Sequence, residues 1–464
     1  MAGRPKIIVA GILDTKGNEI QFIADRIRAM GGYTTILELS VGKEVGWADI
    51  SLSEVLKRKG QHTDEIFMME RAKAADLVVE GAVDLISELS ERGEIGGMIA
   101  CGGSLGTSMA TRIMQTLPIG VPKLMLSTMA SGNVRPYVGT RDICMLYPIA
   151  EAGLNAITRK IFNNAAAAIV GMASALPIPP TEEKPLIGCM MFGATTPAVI
   201  RASRYFEEKG YEVLINHAVG SGGRSMEELI TEGYIVGMLD ITTHEVVAQL
   251  LGGVFIAGPD RLSAAGRKGI PQVVSTGGLD MIVFGPRDTV PKKFEEEELR
   301  GIASRVIHMH NPAVSCVSLT PDEACIVGQH VAEKLNSAEG PTVICIPLRG
   351  WGAYDIAGPI LSLGWAGPGP GPFWVGDPEK PEWSLRARRF FEGLRGKLKL
   401  KKSNLEVLIV DRHINEPEFA DLMAKLLDDM LSGTWKKGSQ RNRPDTVRLR
   451  QLSWWKKNNH EDLS

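Results

Sequence analysis

Several signatures that would name a chemistry at once are missing. The 464 residues contain no GxxxxGK[ST] phosphate loop and no GxGxxG dinucleotide turn, which disfavours a P-loop kinase or an ordinary dehydrogenase. The six cysteines (Cys101, Cys144, Cys189, Cys316, Cys325, Cys345) are scattered and form no CxxC pair. Neither a zinc frame nor a disulfide set is expected, and they read as small buried hydrophobes in a reducing compartment. Charge of one sign is not in excess: 52 Lys and Arg face 54 Asp and Glu, for a net charge of -2. That balance argues against a protein built to coat nucleic acid or an acidic membrane. Ile7–Leu13 is too short for a signal-peptide core, and the alanine-rich run 165–177 is too short to span a bilayer. A cytoplasmic protein with no membrane or nucleic-acid partner is expected. What is present is a globular composition, 44% hydrophobic and 23% charged, at a length that calls for two or three domains.

The chain is organised around residues 95–128. Met98–Cys101 is a short apolar run, Gly102-Gly103-Ser104-Leu105-Gly106-Thr107 breaks it, a helix is predicted over 108–117, and a buried strand ends in Ser127-Thr128. A glycine turn opening a helix bares backbone N–H groups at the positive end of the helix dipole, which suits a phosphate or carboxylate. The same turn reads equally well as a plain tight connection. Upstream, Lys6–Leu13 is a near-continuous apolar strand, 19–30 has apolar residues at helical spacing, and 34–39 is a second strand. This βαβ unit puts Asp14, Thr15 and Lys16 at the carboxyl end of the first strand, where open α/β sheets take ligands. A long helix is predicted over 65–92, a polar loop over 130–142 and an alanine-rich helix over 154–175.

Residues 176–185 hold four prolines among ten, a probable boundary between domains. Beyond it the plan repeats. Gly269-Ile-Pro-Gln-Val-Val-Ser-Thr276 echoes Gly120-Val-Pro-Lys-Leu-Met-Leu-Ser-Thr128, and Gly237–Glu245 stands where Gly97–Ser104 stood. The fold class is therefore α/β, two Rossmann-like (flavodoxin-like) subdomains with mostly parallel sheets. Their bounds are 1–178 for a nucleotide-binding subdomain and 179–432 for the second, followed by a basic, disordered tail over 433–464. Residues 308–312 read as a turn and 350–378 as a long glycine- and proline-rich loop.

Two constellations carry the chemistry. In the first half, Asp14, Thr15, Lys16, Gly102, Gly103, Ser104, Gly106, Thr107, Ser127, Thr128, Ser131, Gly132 and Arg141 converge at one sheet edge and bind a phosphorylated ligand. Asp14 and Asp142 supply carboxylates for a divalent metal. In the second half, Thr195-Thr196, His217, the Gly220–Gly223 run with Arg224 and Glu227, Asp240, Glu245, Asp280 and Arg305 with His310 give the mixture of groups that acid–base work on a small polar metabolite needs. A metal bound by His308, His310, His217 and His244 stays open as an alternative.

These residues fall in long motifs: GILDTKGNEIQFI from Gly11, GGSLGT from Gly102, LPIGVPKLMLSTMASGNVRPYVGTRDI from Leu117, MFGATTP from Met191, GGVFIAGPDRLSAA from Gly252 and HINEPEFA from His413. Through them the chain resembles, from about Lys6 to Leu431, the uncharacterised bacterial, fungal and plant proteins similar to the amino-terminal ATP-binding domain of the tomato mosaic virus resistance protein. The resemblance implies two Rossmann-like subdomains, nucleotide binding in the first, and a homodimer. In plants this region is joined to a TIM-barrel domain, which for this chain would be a separate partner protein. Leu105 departs from the family's usual glycine and narrows the room for backbone to approach a phosphate. Val219 and His244 each replace a usual threonine.

The expectation is an ATP-binding protein with Mg²⁺, in which Lys16 and the amides of 102–107 hold phosphates. An unidentified small-molecule substrate would lie between the domains, with His217, Asp240, Glu245 and His310 as catalytic residues facing it. The alternative is a nucleotide-responsive binding or scaffold protein that turns nothing over, so whether the chain is an enzyme stays open. A cleft for a carboxylate or sugar phosphate is a third reading.

Overall fold

The computed structural model describes residues 6–175 and 184–448, which divide into two compact units, Met1–Thr181 and Glu182–Ser464. The proline-rich stretch expected at the boundary lies, over 176–183, outside the described residues.

In the first unit β1 (Lys6–Gly11), β2 (Tyr33–Glu38), β3 (Gly97–Gly102), β4 (Lys123–Ser127) and β5 (Ile143–Leu146) form one parallel sheet in the order β2-β1-β3-β4-β5. Ile7, Ile8, Val9 and Ala10 are fully buried because helices cover both faces of the sheet, so a strand here has no polar side to show. The helices Leu13–Ala29 and Thr158–Ala173 pack on one face, and Arg71–Glu91 and Ser104–Met114 pack on the other. The predicted long helix over 65–92 is in fact two, Thr63–Phe67 and Arg71–Glu91.

The second unit repeats this plan and extends it. β6 (Leu186–Met191), β7 (Glu212–His217), β8 (Ile235–Thr242), β9 (Gln272–Gly277), β13 (Thr342–Pro347) and β14 (Leu405–Val410) run parallel in the order β14-β13-β9-β8-β6-β7. Counting only the strands of each parallel sheet, both sheets run 2-1-3-4-5, and the second adds β14 as a sixth. The echoed segments Gly120–Thr128 and Gly269–Thr276 build the fourth strand of each. A separate antiparallel sheet, β10 (Met281–Phe284), β12 (Val314–Ser318) and β11 (Ile307–Asn311), is inserted after β9. The residues 308–312 read as a turn are therefore mostly strand β11.

Two further expectations are corrected. Cys144 is exposed, while four of the other cysteines are buried and all six are free. The tail is not disordered over 433–448: Val447 N donates to Ile409 O (2.8 Å), Asp411 N to Asp445 O (2.8 Å), and Lys437 Nζ to the carbonyls of Leu400 and Lys402. The physical reason is the open edge of β14, which residues 445–447 cover, while the cations find fixed partners. Residues 449–464, including Trp454 and Trp455, lie outside the described residues. Among the described residues no helix is long and apolar enough to cross a membrane.

Candidate functional site

In the first unit the chain leaves β1 in one direction for β2 and returns on its other side as β3, so the crevice at their carboxyl ends is the topological switch point. Two turns meet there. The first follows β1: Asp14 N donates to Ser40 Oγ (3.2 Å), Asp14 Oδ2 accepts from Gly42 N (3.1 Å), and Asp14 Oδ1 is buried with no partner among the described residues. Lys16, only 8% exposed, interrupts the helical dihedrals (φ -124°) and places its ammonium on the carbonyl of Glu151 and 3.8 Å from Glu19 Oε1. Asp14, Thr15, Gly17, Asn18, Gln21 and Trp47 line an open depression of about 370 Å³ beside this turn.

The second turn follows β3. The helix begins at Ser104, four residues earlier than predicted, because Gly102 and Gly103 complete the turn by themselves. A Cβ on Gly102 would stand 2.9 Å from Gly106 Cα, so only glycine lets the helix start so close to the strand. A Cβ on Gly103 would stand 2.3 Å from Glu151 Oε1. A carboxylate oxygen thus already lies against the opening of the helix, where a ligand anion would sit. Leu105, the departure from glycine, is half-buried and packs with the core on the covered face, so it does not roof the turn. Ser104 is exposed at the turn.

The other first-half residues divide. Thr107 and Ser127 are both buried and bonded to each other (2.6 Å), with Thr107 Oγ1 also donating to Gly103 O and Ser127 Oγ accepting from Met129 N. They brace the turn from beneath. Thr128, Ser131 and Gly132 continue from β4 in a short helical turn at the same edge. Asp142 and Arg141 do not belong here. Asp142 accepts from the fully buried Lys123 (2.7 Å) and from Gly120 N (2.8 Å), and Lys123 is level with Met98 and Ile8 at the amino ends of the strands. Burial pushes the Asp142 carboxyl up, but the Lys123 ammonium and the Gly120 amide outweigh it and hold it below its ordinary value. Asp14 and Asp142 are separated by the length of the strands, at about 3.3 Å per residue, and do not share a metal. Among the described residues no three His, Cys, Asp or Glu side chains converge on a metal position.

In the second unit the expected catalytic carboxylates are tied up. Asp240 lies inside β8, 1% exposed, and takes Arg261 through both oxygens (2.5 and 2.8 Å). Glu245 accepts Arg261 Nε (2.7 Å) and the amides of Gly220 (2.6 Å) and Gly223 (3.0 Å), filling the glycine turn that opens the helix Ser221–Glu232. Glu227 completes the group, 3.5 Å from Arg261 and bonded to the amides of Leu262, Ser263 and Ala264. Every oxygen of Asp240 and Glu245 therefore serves a buried ion network and faces no open cleft. Arg261 was the missed residue, and its signal was the GPDR turn, which brings one cation to three acidic strand and helix positions.

The histidines stay at the carboxyl edge. His217 ends β7 with its ring 5.6 Å from that of Phe192, and partial burial lowers its pKa. His310, exposed on β11, bonds Tyr354 Oη through Nδ1 (2.8 Å). Phe192 and Tyr354 both pack on the apolar cluster of Ala194, Cys316 and Phe373, which joins these two groups.

Comparison with known proteins agrees with this architecture. Residues 5–177 match the N-terminal domain, and residues 184–363 the C-terminal domain, of the uncharacterised protein family UPF0261. The chain is similar to a UPF0261 protein of Clostridium tetani, 39% identical over 429 residues that cover 92% of this chain and 99% of the relative. A UPF0261 protein of Mesorhizobium japonicum is 37% identical over 91% of this chain and 98% of its own length. The ToMV resistance protein Tm-1(GCR237) of Solanum lycopersicum is 32% identical over 90% of this chain, and the match spans only 55% of that longer protein.

Proposed function

The chain belongs to the uncharacterised protein family UPF0261, and we propose that its first unit binds the phosphate groups of a nucleotide, ATP, between the turns that follow β1 and β3. The observation that carries this reading is the Glu151 oxygen against Gly103. That carboxyl lies beside the opening of the helix Ser104–Met114, where first-turn amides and the helix dipole favour an anion. A ligand phosphate takes the place of that carboxylate, and Lys16, freed from the Glu151 carbonyl, supplies a second contact. The unpartnered Asp14 Oδ1 fits a Mg²⁺ shared with phosphate oxygens, since Mg²⁺ takes one or two carboxylates and completes its shell with phosphate and water. When bound, the ion would neutralise phosphate charge.

Calorimetry with ATP and Mg²⁺ tests the placement. Gly103→Val puts a branched side chain where the phosphate would lie and should weaken binding at least tenfold. Equal affinity of the wild type and a Gly103→Val, Lys16→Ala double variant refutes it.

One observation favours binding without turnover: two of the four expected catalytic groups, Asp240 and Glu245, are buried and paired with Arg261. Incubation with ATP and metabolite mixtures separates the readings, since release of ADP, AMP or phosphate means an enzyme. We include self-association as a homodimer in this reading, to be checked by sedimentation equilibrium.

A further inference from the structure

The carboxyl edge of the second sheet holds buried polar atoms that the fold leaves unsatisfied. His244, which follows β8, is fully buried, and its Nδ1 lies 2.8 Å from the carbonyl of Gly278. A carbonyl only accepts, so Nδ1 carries the proton and Nε2, which has no partner, presents a lone pair. Asp280, which follows β9, is fully buried, and among the described residues neither of its carboxyl oxygens has a partner. Asn415, after β14 and 3% exposed, donates its amide nitrogen to the carbonyls of Ala194 and Leu363, both at 2.9 Å. Two carbonyl partners fix the amide's orientation and leave Oδ1, also unpartnered, as an acceptor.

These groups stand around one knot of turns. Gly278 touches His244 and is two residues from Asp280, a Cβ on Gly352 would lie 3.1 Å from Ala194 Cβ and 3.4 Å from Asp280 Oδ1, and Ala194 carries Asn415. Above them are rings. Phe192 stacks face to face on His244 (4.7 Å, 9°), and Tyr354 lies edge-on to Phe373 at 5.5 Å on the same apolar cluster. Buried polar atoms in native proteins are hydrogen-bonded with few exceptions, and a concentration of exceptions at a sheet's carboxyl edge marks a place built for something else.

We propose that the second unit binds a small molecule at this edge, one that presents several O–H or N–H donors, a polyol or an amine, to His244 Nε2, Asp280 and Asn415 Oδ1. His244 Nε2 and Asn415 Oδ1 accept in every state and Asp280 accepts when ionised, so a ligand with several donors matches these three side chains. The aromatic faces suit both ligand types: the C–H face of a polyol rests on a ring, and an ammonium is drawn to its π-electrons. The surroundings of Asp280 agree. Burial, with the charge of Asp355 behind it, pushes its carboxyl up to about 7 against the pull of its own backbone amide and of Arg386. A donor ligand supplies what the fold withholds.

The test uses the full-length chain in calorimetry and thermal-shift assays with glycerol, ribitol and myo-inositol as the polyol arm and ethanolamine and putrescine as the amine arm. Asp280→Asn keeps the shape but converts half of the acceptor to a donor. One arm should bind and lose at least tenfold affinity in this variant, and the responding arm identifies the class. Should Asp280→Asn fail to fold, His244→Phe, which keeps the stack on Phe192 and removes Nε2, replaces it with the same readout. Binding by neither arm, or equal affinity in wild type and variant, overturns the proposal. So does a high-resolution structure of the probe-soaked protein with ordered water alone on the three side chains.

Discussion

Arg261 decides whether Asp240 and Glu245 are structural, and Arg261→Met puts that to the test. Methionine keeps most of the side chain's volume and removes only the guanidinium. That group makes four hydrogen bonds, two to Asp240, one to Glu245 and one to Thr242 O, all between 2.5 and 3.0 Å in a place where Arg261 is 3% exposed. Removing one partner of a buried ion pair costs about 3–5 kcal/mol, because the other charge is left uncompensated. Here three carboxylates lose their one shared cation, so the upper end of that range applies at pH 7. The deficit must depend on pH. Burial already raises the carboxyls of Glu245 and Glu227 above 4.5, and Arg261 pulls both back. Without it their folded values rise further above the unfolded ones. A group of that kind is most stabilising below its unfolded value and loses its contribution as pH rises through the folded one. The variant's deficit should therefore shrink from pH 7 toward pH 4.5. Seven of the eight tryptophans follow residue 182, Trp47 being the exception, so urea unfolding followed by tryptophan fluorescence reports mainly on the second unit. A loss under about 1 kcal/mol, or one that is the same at pH 5 and pH 7, would refute the network as a structural device.

Other perturbations address the remaining claims. Glu151→Ala removes the protein's own carboxylate from beside the glycine turn and should tighten ATP binding by up to about fivefold, roughly the 0.2–1 kcal/mol of one exposed charge interaction, read by calorimetry. Asp14→Asn should weaken ATP at least tenfold with Mg²⁺ present and change little in EDTA; a loss that is equal in both media assigns Asp14 to the fold instead. Thr107→Val strands the buried Ser127 hydroxyl and should cost the first unit about 1–3 kcal/mol in chemical denaturation. Because the Asp280 carboxyl is raised from 3.8 to about 7, its contribution to stability is full below pH 3.8 and lost as pH rises through 7. Asp280→Asn should flatten that decline in thermal melts of the second unit.

The parallel strands were legible because both sheets are buried on two faces, and their strands therefore appear as continuous apolar runs with glycine turns at fixed places; their order in the sheet came from the structure. The echo between Gly120–Thr128 and Gly269–Thr276 was enough to identify the fourth strand of each unit. The β10-β12-β11 sheet was not legible: β11 reads His-Met-His-Asn, with its residues from Met309 onward exposed, and carries no apolar period. Two of the site errors had a usable signal. Asp142 comes one residue before β5, and a loop that leaves one parallel strand and enters the next must finish at the amino edge. Asp240 sits within the apolar run Gly237–Ile241, so its side chain had to be buried against a cation. Sequence spacing does not say which cation, and Arg261 is 21 residues away. The unsatisfied His244, Asp280 and Asn415 are separated by more than 170 residues and meet only through the turns of five strands and the loops between them.

The two units solve the same geometric problem with opposite consequences for a ligand. Each has a glycine turn that opens a helix, and each turn faces a carboxylate. In the second unit that carboxylate is Glu245, fully buried, bonded to two amides of the turn and locked to Arg261. Releasing it would strand a charge in the core, so the turn is permanently filled. In the first unit the carboxylate is Glu151, exposed on the loop before the helix Thr158–Ala173, with its backbone carbonyl on Lys16. Glu151 is already in contact with water, so moving its loop strands no charge and frees the Lys16 ammonium from the Glu151 carbonyl. An incoming phosphate then gains that ammonium. The exchange costs little at Gly103 and a great deal at Gly223, and this asymmetry is what supports proposing the anion site in the first unit and a ligand of another kind in the second.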